Sequence, residues 1–268
     1  MSDSSKERMQ AAVRQALDEN DSFKANEITA NVMVGTTMLI ILCIMALCLV
    51  LNEVGVFTAE KAAMRWAVLC AAIVAVPMTI INSKHVGVGT WLKWPLMIDL
   101  IIVCAILSAT LGHNVTLVMC FPIVVSTRYF DEKYTKKVAL ITAAIFAVSS
   151  FVSGFVGILN LNMVKFTGNV YLNIFSDQNF REAVYTSAAF NRADYIRSLF
   201  LNDFLPRCLI FLSLSVSCIY VARRGKDMIT MQAETTKKAS RIETELDLAT
   251  KIQTSMLPCI FPAFPGHE

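Results

Sequence analysis

The chain has little charge, and the charge it has is confined to a few stretches. Only 17% of its 268 residues are Asp, Glu, Lys or Arg, whereas 55% are hydrophobic. A soluble domain of this length needs more polar surface, so the composition argues against a soluble protein. The net charge is only +3, and no basic run alternates with stacking aromatic residues. We therefore expect no nucleic-acid partner.

Residues suited to catalysis or metal binding are also scarce. The three His are far apart in sequence, and none of the eight Cys lies at metal-site spacing from another Cys or His. No glycine-rich phosphate loop and no Ser/His/Asp or Cys/His order is present. We therefore expect no catalytic residue, metal site or cofactor in this chain.

Long hydrophobic runs dominate the sequence instead. A run of about 20 residues crosses a bilayer as a helix that rises 1.5 Å per residue. The sequence predicts an all-α, polytopic membrane bundle of about six transmembrane helices in contact with lipid. The predicted spans are Asn31–Leu51, Met64–Ile81, Trp94–Leu111, Asn114–Tyr129, Val138–Leu159 and Phe204–Ala222. The fourth is the weakest because it contains Pro122; a re-entrant segment is the alternative, which leaves five spans.

Basic residues orient the predicted helices. Lys and Arg next to short loops mark the cytoplasmic side of a membrane. The three basic groups fall on one side only if both chain ends are cytoplasmic, which predicts a multi-pass membrane protein with both ends in the cytoplasm. These groups are Lys84 with Lys93, then Arg128, Lys133, Lys136 and Lys137, and finally Arg223, Arg224 and Lys226.

The polar stretches divide the chain into four parts. Residues 1–28 are predicted to be a cytosolic amphipathic segment, because Met9, Val13 and Leu17 share one helical face. Residues 29–222 form the transmembrane domain. Its outside loop, residues 160–203, is predicted to be helical from Ser176 or Asp177 to Leu201. Residues 223–257 are a predicted coiled-coil signalling linker, and residues 258–268 are extended.

Apart from Arg65 and Arg128, each next to the end of a span, two charged residues lie inside the predicted spans. Asp99 follows Trp94 by five residues in the third span, and an ionised carboxylate at mid-bilayer costs about 2.5–3.5 kcal/mol. One alternative is a structural role, at the interface or hydrogen-bonded to a neighbouring helix. The other is proton or ion sensing. Arg207, near the outer end of the sixth span, is predicted to extend its guanidinium to the interface.

The linker has a coiled-coil pattern, since its seam residues recur at alternating steps of four and three. We expect it to join two copies of the chain. The helix is predicted to end at Leu257, because Pro258 disfavours helix at the residue before it. Only Gly225 interrupts the connection to the sixth span, at a cost of about 1 kcal/mol. The seam is Met228, Gln232, Thr235, Ala239, Ile242, Leu246, Ala249, Gln253 and Met256.

The end of the linker resembles a known family. The string ELDLATKIQTSMLP from Glu245 to Pro258, followed by Phe261-Pro262, is similar to the start of the SpoIIE/RsbU-type metal-dependent serine phosphatases. That family's pattern is roughly E-L-x-x-A-x-x-I-Q-x-x-L-L-P and then F-P. Met256 stands where leucine is common. The resemblance implies a switch helix that pairs subunits and docks on a catalytic domain through Leu246, Ala249, Ile252, Gln253, Met256 and Leu257.

The resemblance also implies what would follow in the chain. In that family the helix leads into an α/β-sandwich domain whose aspartates bind Mn²⁺ or Mg²⁺ and hydrolyse phosphoserine in a regulator protein, an antagonist of an anti-sigma factor. The Gly-Asp metal motif of that domain does not occur here, so no catalytic or metal residue is carried over. The resemblance thus implies that the chain is the sensory module of a bacterial serine phosphatase, located in the inner membrane of the cell. Two alternatives stay open: the receptor region of a histidine kinase or nucleotide cyclase, and a transporter or channel subunit.

Overall fold

The computed structural model describes residues 3–18, 22–56, 61–85, 90–111, 117–156 and 192–256. Those residues are almost entirely helical and contain no strand, so the all-α prediction is confirmed for them. The chain divides into two compact units, Met1–Lys226 and Asp227–Glu268. The predicted helix start at residues 176 or 177, Leu257 and the extended segment 258–268 lie outside the described residues.

Eight α-helices occur in the described part of the chain. They are α1 (Asp3–Asp18), α2 (Ser22–Val54), α3 (Lys61–His85), α4 (Lys93–Leu111), α5 (Phe121–Ser126), α6 (Glu132–Val156), α7 (Arg192–Leu199) and α8 (Leu205–Met256). A 3₁₀ turn, Thr90–Leu92, precedes α4, and another, Thr127–Tyr129, follows α5. A π-helical turn, Phe200–Phe204, joins α7 to α8.

Among the residues that the structure describes, four helical stretches are long and apolar enough to cross a membrane, which makes this a membrane protein, as predicted. They are Ser22–Val54, Met64–Lys84, Glu132–Val152 and Leu205–Ser255. They include the first, second, fifth and sixth predicted spans or most of them. The fourth predicted span corresponds to a shorter apolar helical stretch, Leu117–Tyr129.

Helix α4 lies at the centre of the first unit. Helices α2, α3 and α6 all pack against it. It is apolar around most of its circumference, as expected of a helix enclosed by others. Seven of its side chains are at most 2% exposed: Leu96, Met97, Leu100, Ile101, Val103, Cys104 and Leu107.

Side-chain contacts fix the directions of the first two long helices. The guanidinium of Arg65, near the start of α3, pairs with Glu53 at the end of α2, with 2.6 Å between Nε and Oε1. At the other end, Asn82 Nδ2 donates to the backbone oxygen of Asn31, 2.9 Å away. Helices α2 and α3 are therefore antiparallel.

Helices α4 and α6 run in the same direction. The Tyr134 hydroxyl, near the start of α6, donates to the backbone oxygen of Lys93 at the start of α4, at 3.0 Å. Further along both helices, the Ser149 hydroxyl donates to the backbone oxygen of Ala105, at 3.1 Å. The chain between α4 and α6 must therefore return along the length of α4.

The first part of α8 is antiparallel to α6. The ring of Phe211 stacks on that of Phe146 at 5.7 Å between centroids, and Phe204 contacts Phe151 further toward the end of α6. At the N-terminus, α1 packs against α2. It buries Ala16, whereas Leu17, predicted on the apolar face, is 51% exposed. Met9 and Val13, the other residues of the predicted face, are half-buried, so the packed face differs from the predicted one only at its last position.

Candidate functional site

A lysine enclosed by aromatic rings lies at one end of the first unit. The Lys93 ammonium is 5.0 Å from the ring centroid of Tyr129 and 4.3 Å from that of Tyr134. Its side chain is 16% exposed, and Asp131 Oδ2 lies 3.6 Å from Nζ. Ring faces and a carboxylate both attract a cation, and the attraction strengthens as water is excluded. Three elements therefore meet at this ammonium: α4, the 3₁₀ turn before α6, and α6.

The rings around Lys93 support one another. Tyr134 meets Tyr129 edge-on, at 5.0 Å between centroids, and meets Trp94 edge-on at 4.8 Å. Edge-to-face arrangements of this kind are favourable beyond the area they bury. Both tyrosines are only 4% exposed. The cluster is therefore a packed part of the core with a charge at its centre.

A buried amide pair extends the cluster to α2 and α3. The Tyr129 hydroxyl donates to Asn31 Oδ1, at 2.7 Å, and Asn82 Nδ2 donates to the Asn31 backbone oxygen. Asn31 is 0% exposed and Asn82 is 4% exposed. Gly35 makes room for the Asn82 amide, because a Cβ at position 35 would overlap Nδ2. Polar side chains between membrane helices hold neighbours together in this way.

The turn between Tyr129 and α6 is held at both ends. Asp131 Oδ1 accepts hydrogen bonds from the backbone N–H of Lys133, at 3.0 Å, and of Tyr134, at 3.2 Å, which is the arrangement of a helix N-cap. Between these anchors Phe130 has φ +48°. A bulky residue in this left-handed region costs about 1–3 kcal/mol and persists only where its surroundings hold it.

The cluster is suited to holding helices in place rather than to bond chemistry. In the part of the chain that the structure describes, no group of three or more His, Cys, Asp or Glu side chains could hold a metal ion. The cluster instead connects α2, α3, α4, the 3₁₀ turn and α6 at one end.

Asp99, the intramembrane carboxylate, lies on α4 and is 7% exposed. It is six residues beyond Lys93, and its Oδ2 makes no hydrogen bond to any residue that the structure describes. The interfacial role stays a prediction. Hydrogen bonding through Oδ1 and the sensing role both stay predictions.

The predicted switch residues lie in the second unit. Leu246, Ala249, Ile252 and Gln253 are exposed on α8, where Leu246 is 63% and Ile252 47% exposed. Met256 is the last residue of α8. Leu257 lies outside the described residues. The structure thus confirms that these positions, up to Met256, are helical.

Sequence reasoning missed most of the Lys93 cluster. It treated Lys93 as a marker of orientation, and it gave Asn31 and Asn82 no role. The amide side chains of Asn31 and Asn82, at the ends of apolar runs, could have indicated a polar contact between helices. Buried amides in membrane helices require hydrogen-bond partners. Which partners they have depends on packing.

The prediction for Arg207 was wrong. Its Nη2 lies 2.6 Å from Asp203 Oδ1, and the two side chains are 13% and 6% exposed. Asp203 precedes Arg207 by four residues and so lies on the same helical face. The carboxylate neutralises the guanidinium inside the protein, so Arg207 does not extend to the interface.

Comparison with known proteins gives no matching family profile, no similar curated protein and no similar solved structure. The resemblance to serine phosphatases therefore depends on the string of residues 245–262 alone.

Proposed function

We propose that this chain is the membrane sensory and anchoring module of a bacterial serine phosphatase. In this proposal both chain ends are cytoplasmic and two copies pair through the linker. Helix α8 passes the state of the membrane bundle to a phosphatase domain that follows in the chain. That domain would use Mn²⁺ or Mg²⁺ to dephosphorylate a phosphoserine regulator of the anti-sigma-factor-antagonist type.

The arrangement of the helices supports six spans. The returning segment 117–129 contains seven residues in 3₁₀ geometry and six in α5. Rises of 2.0 and 1.5 Å per residue give it a length of about 23 Å, most of a hydrocarbon core of about 30 Å. A re-entrant segment would leave α6 starting at the far end of α4. Tyr134, however, lies beside Lys93.

The predicted cytoplasmic basic residues lie on the elements that meet at the end of the bundle occupied by the Lys93 cluster. Contacts there join the start of α2, the end of α3 and the starts of α4 and α6. Glu132 at the start of α6 lies within electrostatic reach of Arg223 and Lys226 on α8. Because Lys and Arg resist translocation, this clustering supports a cytoplasmic location for that end.

The observation that carries the proposal is the continuity of α8. It is one helix of 52 residues, from Leu205 within the first unit to Met256 in the second. The seam residues Ile242 and Leu246 are 58% and 63% exposed, and Ile252, which widens the apolar face beside the seam, is 47% exposed. Apolar residues at coiled-coil spacing become buried when a second helix covers them. A second copy of α8 is the partner that we propose.

The dimer and switch roles can be tested together with Leu246→Glu and Ile252→Glu in the full-length protein. A carboxylate on the apolar face formed by the seam and Ile252 would have to be buried unpaired, so we expect dimerisation at least about tenfold weaker. We also expect loss of regulated phosphatase activity. Dimerisation can be measured by single-molecule photobleaching in nanodiscs, and activity with a phosphoserine protein.

The matched control is Thr244→Glu, since Thr244 is exposed on the face opposite the seam. It should leave both measurements unchanged. Normal dimerisation and normal regulated activity in Ile252→Glu would contradict the switch role. A kinase or cyclase domain after residue 268 would exclude a phosphatase, and substrate flux through liposomes containing this chain would indicate a transporter.

A further inference from the structure

The ring of Phe130, which lies between the 3₁₀ turn Thr127–Tyr129 and α6, packs against α8 at Gly225. A Cβ at Gly225 would overlap Cδ1 and Cε1 of the Phe130 ring and would lie 2.9 Å from its Cγ. Only glycine allows the ring to approach the α8 backbone so closely. The contact with Phe130 therefore explains why a glycine occurs inside a long helix. From the sequence alone, Gly225 is expected only to destabilise that helix.

Phe130 cannot move independently of the bundle. The preceding residue, Tyr129, is tied to Asn31 on α2, and the following residue, Asp131, caps α6 and faces Lys93 on α4. Phe130 itself is the one non-glycine residue with positive φ in the described part of the chain. Such a conformation is retained only where neighbours enforce it. The position of the ring thus reports the relative positions of α2, α4 and α6.

We propose that the Phe130–Gly225 contact is the point at which the membrane bundle regulates α8. A shift of α2, α4 or α6 moves the Phe130 backbone and lifts the ring from Gly225, which frees α8 to rotate or slide. The inference rests on the proposed function, because it assigns the regulatory step of the same signalling helix. Glu132 at the start of α6 lies within electrostatic reach of Arg223 and Lys226, on either side of Gly225 in sequence.

Helix propensity and the contact make opposite predictions for Gly225→Ala. Alanine favours a helix over glycine, so without the contact the substitution should strengthen α8 and slow its amide exchange. With the contact, the added methyl group displaces the ring, and the amides around residue 225 should exchange faster. Overpacking of this kind corresponds to an increase of about 5- to 100-fold.

The experiment measures hydrogen exchange of residues 219–230 in the full-length protein in nanodiscs. Gly225→Ala should accelerate exchange, and adding Phe130→Ala should restore it by removing the collision. Rescue by the double variant also excludes simple misfolding. Val221→Ala is the control, because Val221 is 52% exposed on the same helix. It should leave the exchange rate near that of the wild type.

A further variant separates the ring from the backbone. Phe130→Asn removes the ring, and asparagine tolerates the left-handed conformation. The phosphatase activity of the full-length protein should therefore no longer respond to the state of the membrane bundle. The backbone amides of the Lys93 cluster should remain as protected from hydrogen exchange as in the wild type. Slower exchange in Gly225→Ala, or no rescue by Phe130→Ala, would overturn the proposal.

The same variants distinguish this inference from the proposed function. The phosphatase activity of the full-length protein is measured in parallel with exchange. If exchange follows the expected pattern but no phosphatase activity is found, the phosphatase assignment fails and the contact stands. Alternatively, hydrogen exchange does not follow the expected pattern, while the phosphatase activity of Gly225→Ala still depends on the stimulus. In that case the contact proposal fails and the proposed function stands.

Discussion

The two parts of α8 have the same spacing of seam residues but opposite surroundings. In Leu205–Lys226, Phe211, Ser215, Cys218 and Ala222 follow one another at steps of four, three and four, and all are at most 7% exposed. In Asp227–Met256 the same steps run through Leu246, which is 63% exposed. Periodicity therefore identifies the face of a helix that packs. It does not identify what packs against that face.

Two ion pairs, one at the start of α8 and one near its end, differ in the same way in the exposure of their side chains. Arg207 pairs with Asp203, and Lys251 pairs with Asp247. Both pairs have i,i+4 spacing. The first pair has side chains 13% and 6% exposed, whereas the second has side chains 73% and 65% exposed. Sequence spacing alone would give the two pairs equal weight.

The largest effect is expected for Arg207→Ala. The substitution removes the guanidinium beside the buried Asp203 carboxylate, and breaking a buried ion pair costs about 3–5 kcal/mol. Lys251→Ala, the matched control, should cost less than about 0.5 kcal/mol because that pair is exposed. The free energy of unfolding can be measured by titrating detergent micelles with dodecyl sulfate. Similar losses in the two variants would show that burial does not separate the two parts of α8.

A smaller effect is expected for Tyr129→Phe in the Lys93 cluster. It removes the donor to Asn31 Oδ1 and so weakens the bond between α2 and the 3₁₀ turn. The expected loss is about 1–3 kcal/mol, since a buried acceptor loses its donor. Tyr220→Phe makes the same change where the ring is 69% exposed, and it should change stability by less than about 0.5 kcal/mol. The same unfolding assay tests both, and an equal loss in Tyr220→Phe would contradict this account.

The smallest change in stability is expected for Asp99→Asn, less than about 1 kcal/mol, because asparagine has nearly the same shape and carries no charge. If Asp99 senses protons, the variant should lose any pH dependence of the output of the full-length protein. Phosphatase assays across pH, with the wild type in parallel, measure this. The same pH response in both proteins would exclude the sensing role.

The sequence predicted the coarse fold well and the candidate site poorly. Hydrophobic runs predicted the helices, and the heptad spacing and Pro258 predicted a helix that the structure extends to Met256. The cluster around Lys93 was not predicted, because its members are separated by dozens of residues. Gly225 was predicted to weaken the helix, since propensity scales do not include the ring of Phe130.

By itself, the sequence determined that this protein is a helical membrane protein with a long polar helix at its end. Those properties depend on local quantities: the length of apolar runs, their period and the breaks at proline. Only the tertiary structure decided that Arg207 is paired within the protein, that Lys93 lies among tyrosines, and that Phe130 rests on Gly225. Such contacts depend on how helices that are far apart in the sequence pack against one another. Local sequence patterns do not determine that packing.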